Sequence, residues 1–222
     1  MRVRYVADVD VEVLLDAGAA PWASASSETL SLMGTPVGLQ PTAAIRASWT
    51  GKKIGAVERV EVAALHTGRN LAFRLEWADA TENRDLTETT AFPDAAAVLL
   101  PSSPQSTVMT MGAPGAAVNA WYWRADADAC RHVVAEGLGT TRTVDVELVR
   151  GRGVWKEGRW RVVIVRALRI DTKEPVAQLE IGEETGFGVA VWDGANSERG
   201  GIKAFSGDWQ ELILDATKLA RR

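Results

Sequence analysis

From Asn70 to Trp77 the chain alternates, with Leu71, Phe73, Leu75 and Trp77 separated by Asn70, Ala72, Arg74 and Glu76. That is the period of a strand with one buried face. The same period joins Val9, Val11 and Val13 with Asp8, Asp10 and Glu12 between them, and Val144, Val146 and Leu148 with Thr143, Asp145 and Glu147 between them. Both read as strands. Trp160 to Leu168, WRVVIVRAL, is rich in β-branched residues and bounded by glycine turns at Gly151, Gly153 and Gly158, which predicts a central strand. Further strands are expected over Val57 to Ala64, Ala95 to Leu100, Ala120 to Arg124, Val176 to Ile181, Phe187 to Trp192 and Trp209 to Leu214.

About ten short, closely spaced strands with little helix predict an all-β, antiparallel β-sandwich. The 222 residues fit one domain, 1–222, around a single core. Three stretches read as long irregular loops: Ala17 to Pro41, Pro101 to Val118 and Asp193 to Gly207. Loops of that length in a compact domain usually carry function. Two contain glycine-flanked candidates, Met111 in Thr110–Gly115 and Lys203 at the end of Gly194–Lys203, and they read as two arms on one cofactor.

Composition narrows the classes. The hydrophobic fraction of 46% and charged fraction of 24% are those of a folded soluble protein, and no run reaches the roughly 18 apolar residues that a membrane span needs. Net charge is −4 with both signs scattered, so the basic footprint of a nucleic-acid binder is missing. Nine tryptophans against two tyrosines and four phenylalanines mean large flat surfaces, most of them expected in the core. The first residues, Met1 to Tyr5, lack an apolar signal segment.

Cys130 stands alone, which excludes an internal disulfide, a multi-cysteine metal site and covalent haem attachment through a Cys-x-x-Cys-His motif. With only His66 and His132, multi-histidine metal sites are excluded too. No nucleophile elbow, P-loop, dinucleotide fingerprint or zinc-protease motif is present. A Cys130/His66 pair is expected to be a buried thiol and an unrelated histidine. Asp193, Asn196, Ser197 and Glu198 offer oxygens in a glycine loop without the spacing of a calcium-binding EF-hand, and a solvated turn is expected there.

Several runs together are more specific: Phe92–Val98 (FPDAAAV), Met111-Gly112, Val118–Asp126 (VNAWYWRAD), Trp192-Asp193-Gly194 and Glu198–Lys203 (ERGGIK). In this order they resemble the haem b-binding γ subunit of ethylbenzene dehydrogenase, which also occurs in dimethylsulfide dehydrogenase, chlorate reductase and selenate reductase. The likeness covers about residues 5 to 215. It implies a β-sandwich holding one non-covalent haem b through an axial methionine and lysine, without substrate chemistry of its own. By position the methionine falls on Met111, with Met109 second, and the lysine on Lys203. Asn119 and Trp121 fall in the matched runs, in packing or loop-support roles, and Arg124, Arg199 or Lys156 are the candidate donors to the propionates.

The resemblance also implies partners: a molybdenum catalytic subunit, an iron–sulfur subunit and a soluble c-type cytochrome, in the periplasm. A ligating lysine must shed its proton, which from a reference pKa near 10.4 costs about 4.6 kcal/mol at pH 7. Burial and the positive iron centre have to supply that. The alternative from another class is a carbohydrate-binding sandwich, which would use exposed tryptophans as stacking platforms.

Overall fold

The structure, a computed structural model, describes residues 1–85, 92–145 and 148–216. In chain order its elements are β1 (Arg2–Tyr5), helix α1 (Val11–Leu15), β2 (Ser26–Ser31), β3 (Met33–Gly34), helix α2 (Ala43–Trp49), β4 (Arg59–His66), β5 (Asn70–Ala78), β6 (Ala95–Pro101), β7 (Gly112–Ala113), β8 (Ala116–Arg124), β9 (Ala129–Ala135), β10 (Arg142–Asp145), β11 (Val149–Lys156), β12 (Arg159–Ala167), β13 (Glu184–Trp192), β14 (Ala204–Phe205) and β15 (Gln210–Leu214).

The strands form one continuous path, β10-β9-β8-β6-β13-β15-β1-β4-β5-β12-β11, with β2 on β4, β14 on β13, β3 on β14 and β7 on β8. The path doubles back on itself. Phe73 of β5 meets Trp121 of β8 edge-on at 6.0 Å, and Trp160 of β12 meets Trp123 of β8 at 5.0 Å, although these strands are far apart along the path. Two layers therefore face each other, β2-β4-β5-β12-β11 against β10-β9-β8-β6-β13. Pairing is antiparallel except at β1, which runs parallel to both β15 and β4 and joins the layers.

The alternation in β5, β6, β8, β12 and β13 explains the core. Phe73, Leu75, Val98, Trp121, Trp123, Val162, Ile164, Phe187 and Val189 point between the layers and are buried. Close packing there demands small residues opposite the indoles. A Cβ on Gly153 would lie 2.2 Å from the Trp123 ring, and one on Gly151 would lie 2.3 Å from the Cys130 sulfur. On the outer face of one layer, α1 covers Val163 and Val165 with Leu14 and Leu15. The outer face of the other layer is lined by Ala95, Ala97, Leu99, Ala120 and Val133, which are also buried, so loops must cover it.

Several expectations need correcting. Val9–Val13 is not a strand: Val11–Leu15 is a helical turn whose N-cap, Asp10, accepts a hydrogen bond from the Glu12 amide at 2.9 Å. Burial of the adjacent pair Leu14 and Leu15 on β12 outweighs the short alternation. Val176–Ile181 makes no strand either, because side chains satisfy its backbone: Asn119 Oδ1 takes the Ala177 amide and Arg166 Nη2 donates to the Ala177 carbonyl. Strands β2 and β3 lie inside the stretch expected as the Ala17–Pro41 loop, and Ser-rich β2 has too little β-propensity to stand out. Helix α2, capped by Thr42, was not anticipated. Of the strand expected over Val144–Leu148, Val146 and Glu147 lie outside the described residues.

Candidate functional site

A cavity of about 520 Å³ opens on the outer face of the β6/β8/β9/β13 layer. The floor follows from the two-residue period. Ala97 and Leu99 of β6, Ala120 and Tyr122 of β8, and Arg131 and Val133 of β9 point outward, while Val98, Trp121 and His132 between them point inward. Register aligns them into rows, Leu99–Ala120–Val133 and Ala97–Tyr122–Arg131. Trp192 and Phe205 form one wall, Leu138 and Gly139 another, and Leu39, Gln40 and Pro41 roof one end. The volume lies within the roughly 300–1,000 Å³ usual for small-molecule and cofactor sites.

Lys203, Met111 and Met109 all line this cavity. Lys203 stands directly before β14 and is only 8% exposed. Its carbonyl accepts two hydrogen bonds from Thr35, from the amide at 2.9 Å and from Oγ1 at 3.1 Å. Two residues earlier the Gly201 carbonyl accepts from Gln40 Nε2 at 3.1 Å, an approach that any side chain at Gly201 would block, since its Cβ would lie 2.5 Å from Gln40 Oε1. Trp192 Nε1 donates to the Gly200 carbonyl at 3.0 Å, and the Lys203 ammonium lies 5.6 Å from the Trp192 ring centroid. Among the described residues Nζ has no hydrogen-bond or ion-pair partner. Burial alone pulls the amine down from 10.5 to about 8. The proton then costs about 1.4 kcal/mol to remove at pH 7, rather than about 4.6.

Met111 occupies the second arm. It sits at φ 55°, a left-handed backbone rarely adopted by methionine, held by its amide donating to Val108 O at 3.1 Å and its carbonyl accepting from the Gly137 amide at 3.0 Å. Gly112 follows at φ 87°, and a Cβ there would strike the Ala116 and Ala135 carbonyls at 2.7 Å. The loop is thus pinned to β8 and to the end of β9. Met109 is more exposed and lies at the cavity margin.

The other candidates lie elsewhere. Asn119 is fully buried, takes Arg166 Nη1 at 3.0 Å and the Ala177 amide at 3.3 Å, and donates to Val133 O at 3.0 Å. Trp121 packs between the layers with the Arg166 guanidinium 4.7 Å from its ring. Both support the floor from beneath. Arg124 is on the floor's face but one row beyond Tyr122, paired with Asp126 at 2.8 Å, and Arg199 stacks on Phe92 at 4.2 Å. Neither they nor Lys156, on β11 of the other layer, line the cavity. Arg131, Arg142, Tyr122 and Gln40 do, and sequence reasoning missed them. The signal for the first and third was the phase of alternation along β8 and β9.

The other residues that the sequence singled out take structural places. Glu198, 1% exposed, has its oxygens occupied by the amides of Gly55, Ala56 and Asp193 and by Asn196 Nδ2, so its loop is tied to residues 55–56. Cys130 and His66 sit on strands of different layers, and burial pushes the thiol far up and the imidazole down. All nine tryptophans are buried or half-buried, which leaves no exposed indole platform for a sugar ring.

Fold and cavity together define a β-sandwich that carries an apolar, cation-lined pocket between two loops of one layer. The chain belongs to the ethylbenzene dehydrogenase family, whose model matches residues 19–148 and 138–204. It is 36% identical over 158 residues to the chlorate reductase subunit gamma of Ideonella dechloratans, covering 71% of this chain and 65% of that one. A Haloferax mediterranei protein provisionally named a respiratory nitrate reductase heme subunit is 33% identical over 155 residues, 69% of this chain and 55% of that protein. The dimethylsulfide dehydrogenase subunit gamma of Rhodovulum sulfidophilum is 30% identical over 151 residues, 64% and 56% of the two chains. The chain spans 55 to 65% of the length of these curated relatives. In fold it is similar to a family 9 carbohydrate-binding module from Caldicellulosiruptor kristjanssonii in complex with cellotriose, at TM-score 0.52 and 12% identity over 100% of this chain and 96% of that one. No helix among the described residues is long and apolar enough to cross a membrane.

Proposed function

We propose that this chain is an electron-transfer γ subunit that holds one non-covalent haem b between Met111 and Lys203. One observation carries the reading: a lysine amine is buried in an apolar cavity, without a carboxylate partner among the described residues, where a methionine on a second pinned loop also faces. A buried, unpaired lysine is costly, and a metal centre that takes its neutral form offsets that cost. Membership of the family and the name of the Haloferax relative support the haem.

When bound, haem supplies a one-electron couple at its iron. Lys203 offers a neutral amine after giving its proton to water. Met111 offers a soft, uncharged thioether that favours the reduced metal. Ala97, Leu99, Ala120 and Val133 exclude water from the floor. With Met111 and Lys203 both holding the group, no position would remain open to a substrate, so the subunit itself would perform no substrate chemistry. In the assembly it passes electrons between an iron–sulfur subunit, itself joined to a molybdenum catalytic subunit, and a soluble c-type cytochrome in the periplasm.

Haemochrome analysis of the purified chain tests the cofactor, and a colourless chain that takes up no haem refutes the reading. Two further results are expected. Because one proton leaves Lys203 on ligation, haem affinity rises about tenfold per pH unit up to about pH 8 and then levels, with release of one proton per haem. Titrations between pH 6 and 9 in buffers of different ionisation enthalpy check this. Met111→Ala lowers the midpoint potential by at least about 60 mV, the equivalent of a tenfold weaker preference for the reduced state. Met109→Ala leaves it unchanged, and the reverse outcome makes Met109 the sulfur ligand.

A further inference from the structure

The charged side chains lining the cavity are all of one sign: Lys203, Arg131 and Arg142, with no aspartate or glutamate among the described lining residues. They are not mixed. Lys203 adjoins β14, whereas Arg131 is on β9 and Arg142 on β10, and the order β14-β13-β6-β8-β9-β10 puts at least four strand steps between the lysine and the arginines. At about 4.8 Å per step the backbones stand roughly 19 Å apart, with the apolar rows of the floor between them. A ligand that fills this space is apolar where it crosses the floor, is met by the amine beside β14, and reaches two guanidinium groups at the β9/β10 rim.

Resting on the haem reading, we propose that Arg131 and Arg142 form the anchor for the carboxylates of the bound porphyrin, and so fix which edge of the macrocycle faces the β9/β10 rim. Arg131 is exposed and projects from the same face as Tyr122, its β8 neighbour in register. Arg142 is paired with Glu174 outside the cavity, and the Glu174 carboxylate holds its guanidinium above the ordinary value. Glu174 therefore competes with an incoming carboxylate for Arg142. Arg124 and Arg199, which the sequence had offered for this role, do not line the cavity, whereas Arg131 and Arg142 do.

The test varies ligand and protein together. Haem and its dimethyl ester, which has the same iron and ring but no carboxylates, are titrated into the full chain and into an Arg131→Gln/Arg142→Gln double variant, in one detergent and at two salt concentrations. The wild type is expected to bind haem about tenfold more tightly than the diester, the scale of charge-assisted bonds at a solvated rim, and to lose that preference at high salt. The double variant binds both alike, with its Soret band unchanged. Glu174→Gln raises haem affinity a few-fold and leaves the diester unaffected. Equal binding of the two porphyrins by the wild type, or a preference that survives in the double variant, overturns the anchor while the Met/Lys haem stands. A wild-type chain that binds neither porphyrin refutes the haem reading and the anchor with it.

Discussion

Lys203→Leu abolishes the six-coordinate, low-spin absorption of the reconstituted chain and, in the same variant, makes the cofactor-free protein more stable. The two effects have one origin. The amine of Lys203 titrates at about 8 rather than 10.5 because it is buried away from water. The protonated form therefore carries a penalty in the folded state of about 3 kcal/mol at pH 7, from the 2.5-unit displacement at about 1.36 kcal/mol per unit. That penalty is fully present below about pH 8 and fades as pH rises to the unfolded value near 10.5, so wild-type stability climbs across that window. Leucine, similar in bulk and uncharged, removes both penalty and slope. Denaturant unfolding of the apo chain at pH 7 and 10, set beside the visible spectrum after haem addition, checks both halves. A variant that keeps the wild-type spectrum removes Lys203 as a ligand, and one no more stable than wild type shows that the amine is better solvated than its burial implies.

Asp94→Ala is expected to cost about 3–5 kcal/mol of stability, because it strips the acceptor from three buried donors at once. Asp94 is fully buried before β6. Its Oδ1 accepts from the Gly194 amide at 2.8 Å, and its Oδ2 accepts from the Asn83 amide at 2.8 Å and from Trp160 Nε1 at 3.0 Å. Burial, reinforced by neighbouring Asp79, raises its pKa from 3.8 to about 7. A carboxyl whose folded pKa is raised binds its proton more tightly in the folded state, so this group's contribution is largest below about pH 4 and declines as pH rises through 7. Urea unfolding of wild type and variant at pH 5 and 8 measures both the loss and the slope. The Gly194 bond also roots the loop that runs to Lys203, so weakened haem affinity should accompany the lost stability. If affinity is untouched, the arm is positioned by Thr35 and Gln40 alone.

How much of this was legible in the sequence follows from which forces are local. The β5 segment was readable because its alternation is long, and β12 because it is a run rich in β-branched residues. Runs such as AAAVLL in β6 show no alternation because both faces are buried, and this hid the fact that the outer face, with Ala97 and Leu99, is a cavity floor. The two-residue strands β3 and β14 are invisible to any period, yet they set the lysine arm: β3 pairs with β14 through Gly34 and Met33, and Thr35 then reaches the Lys203 carbonyl. Met111 and Lys203 were found through a family resemblance, and the cavity brings both onto its lining. Which arginines line the cavity was not legible in advance, because a guanidinium can be engaged by any nearby acid or ring. Only the register of β8, β9 and β10 distinguishes Arg131 and Arg142, which line the cavity, from Arg124, which does not.

The arms are tied down by contacts that owe nothing to a guest. Thr35 grips one carbonyl twice, Gln40 holds another, and Gly112 lies wedged between two strands. On the haem reading proposed above, backbone anchors that are already made without a cofactor would limit the rearrangement that accompanies a change of charge between the two arms. A scaffold held in that way would favour rapid electron exchange at the proposed site.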